Sequence, residues 1–85
     1  MIIQAEVSLY PLRTNEIGGA IESFVGNLEQ QDMKVVSGSM STRISGDSKS
    51  VFAALAESFD KVADQGEVVL IAKVSNACPL ERAAE

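Results

Sequence analysis

The spacing between apolar residues changes character repeatedly along this chain, and no other feature restricts its fold so tightly. Through Ile2–Tyr10, Ala5, Val7 and Leu9 alternate with Glu6, Ser8 and Tyr10, the period of a strand with one buried face. The turn "PLRTN" follows, with Thr14 or Asn15 placed to cap a helix. In "NEIGGAIESFVGNLEQQ", Ile17, Ile21, Phe24 and Leu28 then recur at intervals of four, three and four, which is an amphipathic helix. A short strand through Val35 and Val36 leads to a tight turn at Gly38. The third strand runs from Ser39 to Ser45, with Met40, Thr42 and Ile44 on one face and Ser39, Ser41, Arg43 and Ser45 on the other. Asp47 or Ser48 caps a second helix whose core stripe is Phe52, Leu55, Phe59 and Val62. "DQG" stops it, and the β-branched "EVVLIAKVS" is the fourth strand.

The order β-α-β-β-α-β leaves few topologies. Right-handed crossovers of both βαβ units give a four-stranded antiparallel sheet in the order 4-1-3-2, with two helices on one face. This α+β arrangement is ferredoxin-like, with residues 1–79 as a single domain and "LERAAE" (80–85) as a tail. Gly18, Gly19 and Gly26 each cost a helix about 1 kcal/mol against alanine. Close approach to the sheet or to a ligand is one reason for them, and simple tolerance at the surface is as good a reason for Gly26. At 85 residues the core is small, and association with further copies is the expected source of added stability.

Charge and residue usage exclude several chemistries. Twelve acids against seven bases give a net charge of −5 with no Lys/Arg cluster, so phosphate neutralisation on a nucleic acid or anionic membrane is not provided for. There is no histidine and Cys78 is the only cysteine. Histidine-based acid–base catalysis and Cys/His zinc sites are therefore absent, and a lone thiol agrees with a reducing cytoplasm. "MIIQAEVSL" has no basic n-region, and no apolar run reaches the length of a membrane span.

With Ala5, Val7 and Leu9 facing the helices, Glu6, Ser8 and Tyr10 project onto the open face of the sheet, beside Ser41 and Arg43. The fourth strand adds Val69, Ile71, Lys73 and Ser75 to that face. Val69 and Ile71 beside Tyr10 make an apolar patch that a second subunit would cover. Glu6 and Arg43 have two readings: a cross-strand ion pair, or a carboxylate that accepts hydrogen bonds from an amino-substituted heterocycle. Tyr10 is either a structural residue at a strand end or a stacking surface.

Three segments add a resemblance. Val7-Ser8-Leu9-Tyr10-Pro11, Gly46-Asp47…Val51-Phe52 and Val74-Ser75-Asn76-Ala77-Cys78-Pro79 together resemble the YkoF-like family of thiamin- and hydroxymethylpyrimidine-binding proteins. The chain departs from that family's pattern at Glu6, where other repeats more often carry basic or amide side chains. The resemblance implies a non-catalytic domain that binds thiamin or its pyrimidine moiety as ligand, with no other cofactor. It also implies a role in thiamin or pyrimidine salvage alongside an uptake transporter. Other members carry two repeats in one chain, so a homodimer or homotetramer is the equivalent here. Glu6, Ser8, Tyr10, Ser41, Thr42, Arg43 and Ser75 are the residues assigned to the ligand. The alternatives are an ACT-like regulatory or structural interaction module, and a small ferredoxin-like enzyme built on Glu6, Asp47 or Tyr10.

Overall fold

The computed structural model describes residues 1–77; Cys78, Pro79 and the tail at 80–85 lie outside the described residues. Six elements follow one another: β1 (Ile2–Pro11), α1 (Ile17–Glu29), β2 (Lys34–Ser37), β3 (Thr42–Asp47), α2 (Ser48–Ala63) and β4 (Val68–Ser75). The strands form one antiparallel sheet in the order β2-β3-β1-β4. The helices pack on each other and on the same side of the sheet. This is the ferredoxin-like topology read from the periodicities.

β1 is the organising strand because it is paired along both edges. Its alternation puts Ile3, Ala5, Val7 and Leu9 into the core and leaves Glu6 and Ser8 half-buried on the opposite face. Ala5 lies opposite Ile44 and Val74, and Val7 opposite Thr42 and Ala72. Phe24 and Leu28 of α1 and Val51, Ala54, Leu55 and Val62 of α2 close the core from above. A fully buried Val, Leu or Phe contributes on the order of 1.5–3 kcal/mol, so these side chains dominate the stability of so small a domain.

Both helices rotate away from the stripes that spacing alone selects. In α1, Phe24 and Leu28 are buried as predicted, but Ile17 and Ile21 remain 51% and 38% exposed. In α2, Leu55 and Val62 are buried, whereas Phe59 is half-buried and Phe52 is exposed. The buried side is instead Val51, Ala54, Leu55, Ser58 and Val62. Small side chains at Ala54 and Ser58 let the helix axis sit close to the sheet, which a stripe centred on two phenylalanines would prevent.

The third strand also starts later than its alternation indicates, at Thr42 rather than Ser39. The Gly38 N–H donates to the Ser41 carbonyl (2.8 Å), which closes a turn and holds Ser39 and Met40 outside the sheet. Met40 is therefore 88% exposed instead of sharing the face of Thr42 and Ile44. A Cβ at Gly38 would lie 3.0 Å from that same carbonyl oxygen, so glycine spares the turn a tight contact with its own backbone. Of the two capping assignments, Asp47 is observed at α2, accepting from the Lys49 N–H (3.2 Å). Thr14 accepts from the Glu16 N–H (3.0 Å) just ahead of α1.

Close approach to the sheet is not the reason for the helical glycines, since a Cβ at Gly18, Gly19 or Gly26 would meet nothing within 4 Å. Gly26→Ala is thus expected to stabilise the fold by about 0.5–1 kcal/mol through the backbone alone. Denaturant unfolding should show a higher midpoint with an unchanged slope; a lower midpoint would mean that the position is crowded after all.

Candidate functional site

Two neighbouring features meet where β1 ends and β3 begins. One is a polar cluster on the open face. Glu6 of β1 lies opposite Arg43 of β3 and Lys73 of β4, so strand register alone puts a carboxylate between two cations. The Ser41 hydroxyl donates to Glu6 Oε2 (2.9 Å), and Lys73 Nζ pairs with Glu6 Oε1 (3.4 Å). The hydrogen bond from Ser41, then the bond and charge of Lys73, and last the charge of Arg43 hold the Glu6 carboxyl below its usual range, against a small opposing effect of burial. Glu6 is therefore ionised at neutral pH.

The other feature is a cavity of about 340 Å³, lined by the ends of β1 and β3, the turn at 38–41 and the first half of α1. The two isoleucines that spacing places in the core, Ile17 and Ile21, line it. Their exposure has a structural cause: the sheet beneath them is missing a rung, because residues 39–41 turn away instead of extending β3. An apolar corner is left open rather than filled.

The structure draws most of the sequence-assigned residues to this corner and separates others. Ser8, Tyr10, Ser41 and Thr42 all line the cavity, and Glu6 joins it through the hydroxyl of Ser41. Ser8 donates to the Met40 carbonyl (3.4 Å). Thr42 is buried on the helix-facing side, opposite Val7. Arg43 stands across from Glu6 on the open face and does not line the cavity. Ser75 lies opposite Gln4, about 13 Å along the strand from Ser8 at about 3.3 Å per residue, and its hydroxyl accepts from the Ala77 N–H (2.9 Å) in a local turn. Lys73, Ile17, Ile21 and Met40 were not singled out from sequence as site residues. The first was within reach of register reasoning, since it falls on the same face as Glu6.

The hydroxyls have a shared polarity. Ser41 commits its proton to Glu6 and Ser8 commits its own to a carbonyl, so each presents only lone pairs to the cavity. The rim accepts hydrogen bonds, and a carboxylate stands directly behind it. These two acceptors favour a ligand with N–H donors. A second concavity, about 500 Å³, lies between the β1–α1 and α2–β4 loops. Its lining is mixed polar and apolar, and its one cation, Arg13, is paired with Glu67 (3.0 Å), so the corner with the unfilled apolar wall is the better candidate. Among the described residues no group of three or more acidic or cysteine side chains could hold a metal ion, and no helix is long and apolar enough to cross a membrane.

Comparison with known proteins places this corner in context. The model of the YkoF-related family matches residues 2–81. The chain belongs to the YkoF-related family. Solved structures share its fold: a hypothetical protein from Methanocaldococcus jannascii is 24% identical with a TM-score of 0.86, covering 96% of this chain and 91% of that one. A Streptococcus pneumoniae protein is 17% identical with a TM-score of 0.88, each chain covered fully. A Thermotoga maritima protein, described as a candidate thiamine biosynthesis/salvage protein, is 12% identical with a TM-score of 0.86, covering 98% of this chain and 95% of that one. At these identities the neighbours carry the fold. No curated protein matches the sequence.

The hydrogen bond from Ser41 to Glu6 is directly testable. Ser41→Ala removes the largest cause of the lowered Glu6 pKa, which should rise toward the ordinary 4.5 in a carboxyl-detected NMR titration. Because the folded value is depressed, the stabilisation from this cluster is present above the unfolded pKa and is lost as pH falls through the folded one. Ser41→Ala should shift that loss to higher pH. An unchanged Glu6 titration would show that the hydroxyl does not hold the carboxylate.

Proposed function

We propose that this protein binds thiamin or its hydroxymethylpyrimidine moiety in the corner between β1, β3 and α1, without transforming it, as part of thiamin or pyrimidine salvage or transport. One observation carries the reading: an unfilled apolar cavity beside which the Ser8 and Ser41 hydroxyls, their protons committed elsewhere, stand as acceptors, with the ionised Glu6 carboxylate behind Ser41. An aminopyrimidine matches it. The exocyclic amine donates to Ser41 and, through the second lone pair of its oxygens, to Glu6. The ring lies against Ile17, Ile21 and the Tyr10 ring, and the Thr42 hydroxyl is at hand for a ring nitrogen. At about 340 Å³ the cavity sits at the small end of ligand sites, suited to one ring held inside and the thiazolium left toward the open face. Membership in the family and the salvage role assigned to the Thermotoga neighbour support the same ligand class.

Glu6 is already engaged by Ser41 and Lys73, and binding without turnover is the role assigned to it. The reading places the protein in the cytoplasm, with an uptake transporter as its supplier. It also includes self-association as a homodimer or homotetramer, since Val69 and Ile71 stand exposed on the open face opposite Tyr10 and Ser8.

Calorimetric titration tests the ligand. Thiamin should bind more tightly than its diphosphate, because the chain carries a net charge of −5 and Arg13 is remote and paired with Glu67. Glu6→Gln should weaken thiamin by about ten- to a hundredfold, the equivalent of about 1.5–3 kcal/mol for a hydrogen bond to a charged group, and weaken the neutral pyrimidine less. A pyrimidine whose amine is replaced by a carbonyl should bind poorly. Parent-like binding by both Glu6→Gln and Ser8→Ala, with the fold intact, would move the site elsewhere.

A further inference from the structure

We propose that the concavity between the β1–α1 and α2–β4 loops is a second ligand site, which takes a small zwitterion of the aliphatic α-amino acid class. It lies on the flank of α1 opposite the corner assigned to thiamin and does not depend on that assignment.

The two loops are tied into a common floor. The Leu12 N–H donates to the Glu67 carbonyl (2.9 Å), one rung beyond the last register pair of β1 and β4, Pro11 with Val68. The chain leaves the line of β1 at Arg13, the one non-glycine residue with positive φ (53°) among the described residues. The Arg13 guanidinium spans the two loops, its Nε 3.0 Å from Glu67 Oε1. Thr14 Oγ1 accepts from the Glu16 N–H (3.0 Å) and fixes the entry to α1. Backbone and side chain thus both bind one loop to the other, and the groups at their rim hold their places without a ligand.

Above this floor the space is open. The concavity measures about 500 Å³, within the range of small-molecule sites and larger than the thiamin corner. Gly19, Ala20 and Ser23 of α1 form one wall, and the end of α2 with Gly66 and Val68 forms the other. Gly19 faces this space, and a Cβ there would meet nothing within 4 Å. Glycine weakens a helix interior, and neither crowding nor positive φ requires it at this position. What its missing side chain provides is room beside the charged rim. Leu12, Val62 and Val68 give the concavity an apolar part against which an aliphatic tail can lie.

The charges select the ligand. One guanidinium, Arg13, shares the lining with two carboxylates, Glu16 and Glu67. The Arg13 and Glu67 side chains are 71% and 61% exposed, so their pair is open to a ligand rather than sealed under protein. A guanidinium carries five N–H donors, and a single carboxylate does not exhaust them. Glu16, Ser23 and Gln65 have no side-chain partner among the described residues. A simple anion would meet two like charges here, and a simple cation would meet Arg13. A zwitterion avoids both conflicts: its carboxylate joins the Arg13 fork, and its ammonium lies between Glu16 and Glu67. An aliphatic α-amino acid carries both charges on one carbon, with its tail free to reach Leu12, Val62 and Val68.

NMR titration of the full chain with L-leucine at neutral pH tests the site. Saturable shifts are expected at the amides of Arg13, Gly19, Gly66 and Glu67 and at the Val62 and Val68 methyls, with the Ile17 and Ile21 methyls unmoved. Two truncated probes, 4-methylpentanoate without the amine and 3-methylbutylamine without the carboxylate, should each bind about tenfold more weakly or worse. Arg13→Gln and Glu16→Gln should weaken leucine by a similar factor. Gly19→Leu should raise the thermal unfolding midpoint, since leucine is the better helix former, while removing leucine binding; if it does not fold, Ala20→Leu takes its place. No saturable shift up to about 10 mM leucine, equal binding of either truncated probe, or parent-like binding by the charge or filling variants would each overturn the proposal. Hydroxymethylpyrimidine is titrated separately and read at Ile17 and Ile21, so failure of the thiamin assignment would leave the leucine shifts unchanged.

Discussion

Pairing of β1 along both edges is the constraint from which the rest of the structure follows. A strand with a buried face fixes its own register, because a slip of one residue would carry Ile3, Ala5, Val7 and Leu9 into water. Since β1 sits between β3 and β4, fixing it fixes both neighbours. Glu6 is placed between Arg43 and Lys73 by the same alternation that buries Val7 opposite Thr42 and Ala72. Core and polar cluster are two faces of one decision.

The cavity arises where that regularity stops. Gly38 closes a turn on Ser41, and β3 begins too late to support the first turn of α1. Ile17 and Ile21 then keep exposed area that would be worth about 25 cal/mol per Å² if buried. A ligand ring laid against them recovers part of this cost. Occupancy at a hundredfold excess over Kd would add about 2.7 kcal/mol to the stability of the domain, a large fraction for a chain of this size. The turn that shortens the sheet also supplies Ser41, whose hydroxyl links the apolar corner to the Glu6 carboxylate. Shape and polarity of the site come from one local departure from regular structure.

Element order, strand order and the facing of β1 were legible in the sequence because period-two and period-3.6 patterns are local and the crossover rule is strict. The sequence also marked Glu6, Ser8, Tyr10, Ser41 and Arg43 as one face, since parity and strand adjacency suffice for that, although Arg43 does not line the cavity. What it did not reveal was rotation and extent. Ile17, Ile21, Phe52 and Phe59 satisfy the helical spacing of core residues, but which flank is buried depends on where the sheet ends and how close small residues such as Ala54 and Ser58 allow a helix to come. Met40 has the parity of a core residue and is held outside by a turn whose closure depends on backbone geometry at Gly38. The pairing of Glu6 with Lys73 required a register between β1 and β4 that alternation alone leaves open by steps of two. Ile17, Ile21 and Met40 gather around the candidate cavity, where side chains patterned for burial remain uncovered.

An NMR titration with hydroxymethylpyrimidine, following isoleucine methyls and backbone amides, tests the central claim most directly. The account predicts saturable shifts at the Ile17 and Ile21 methyls and at the amides of Ser8, Ser41 and Thr42, with Val69 and Arg13 unmoved. Shifts centred on Arg13 and Glu67, or on Val69 and Ile71, or no shifts at saturating ligand, would contradict it.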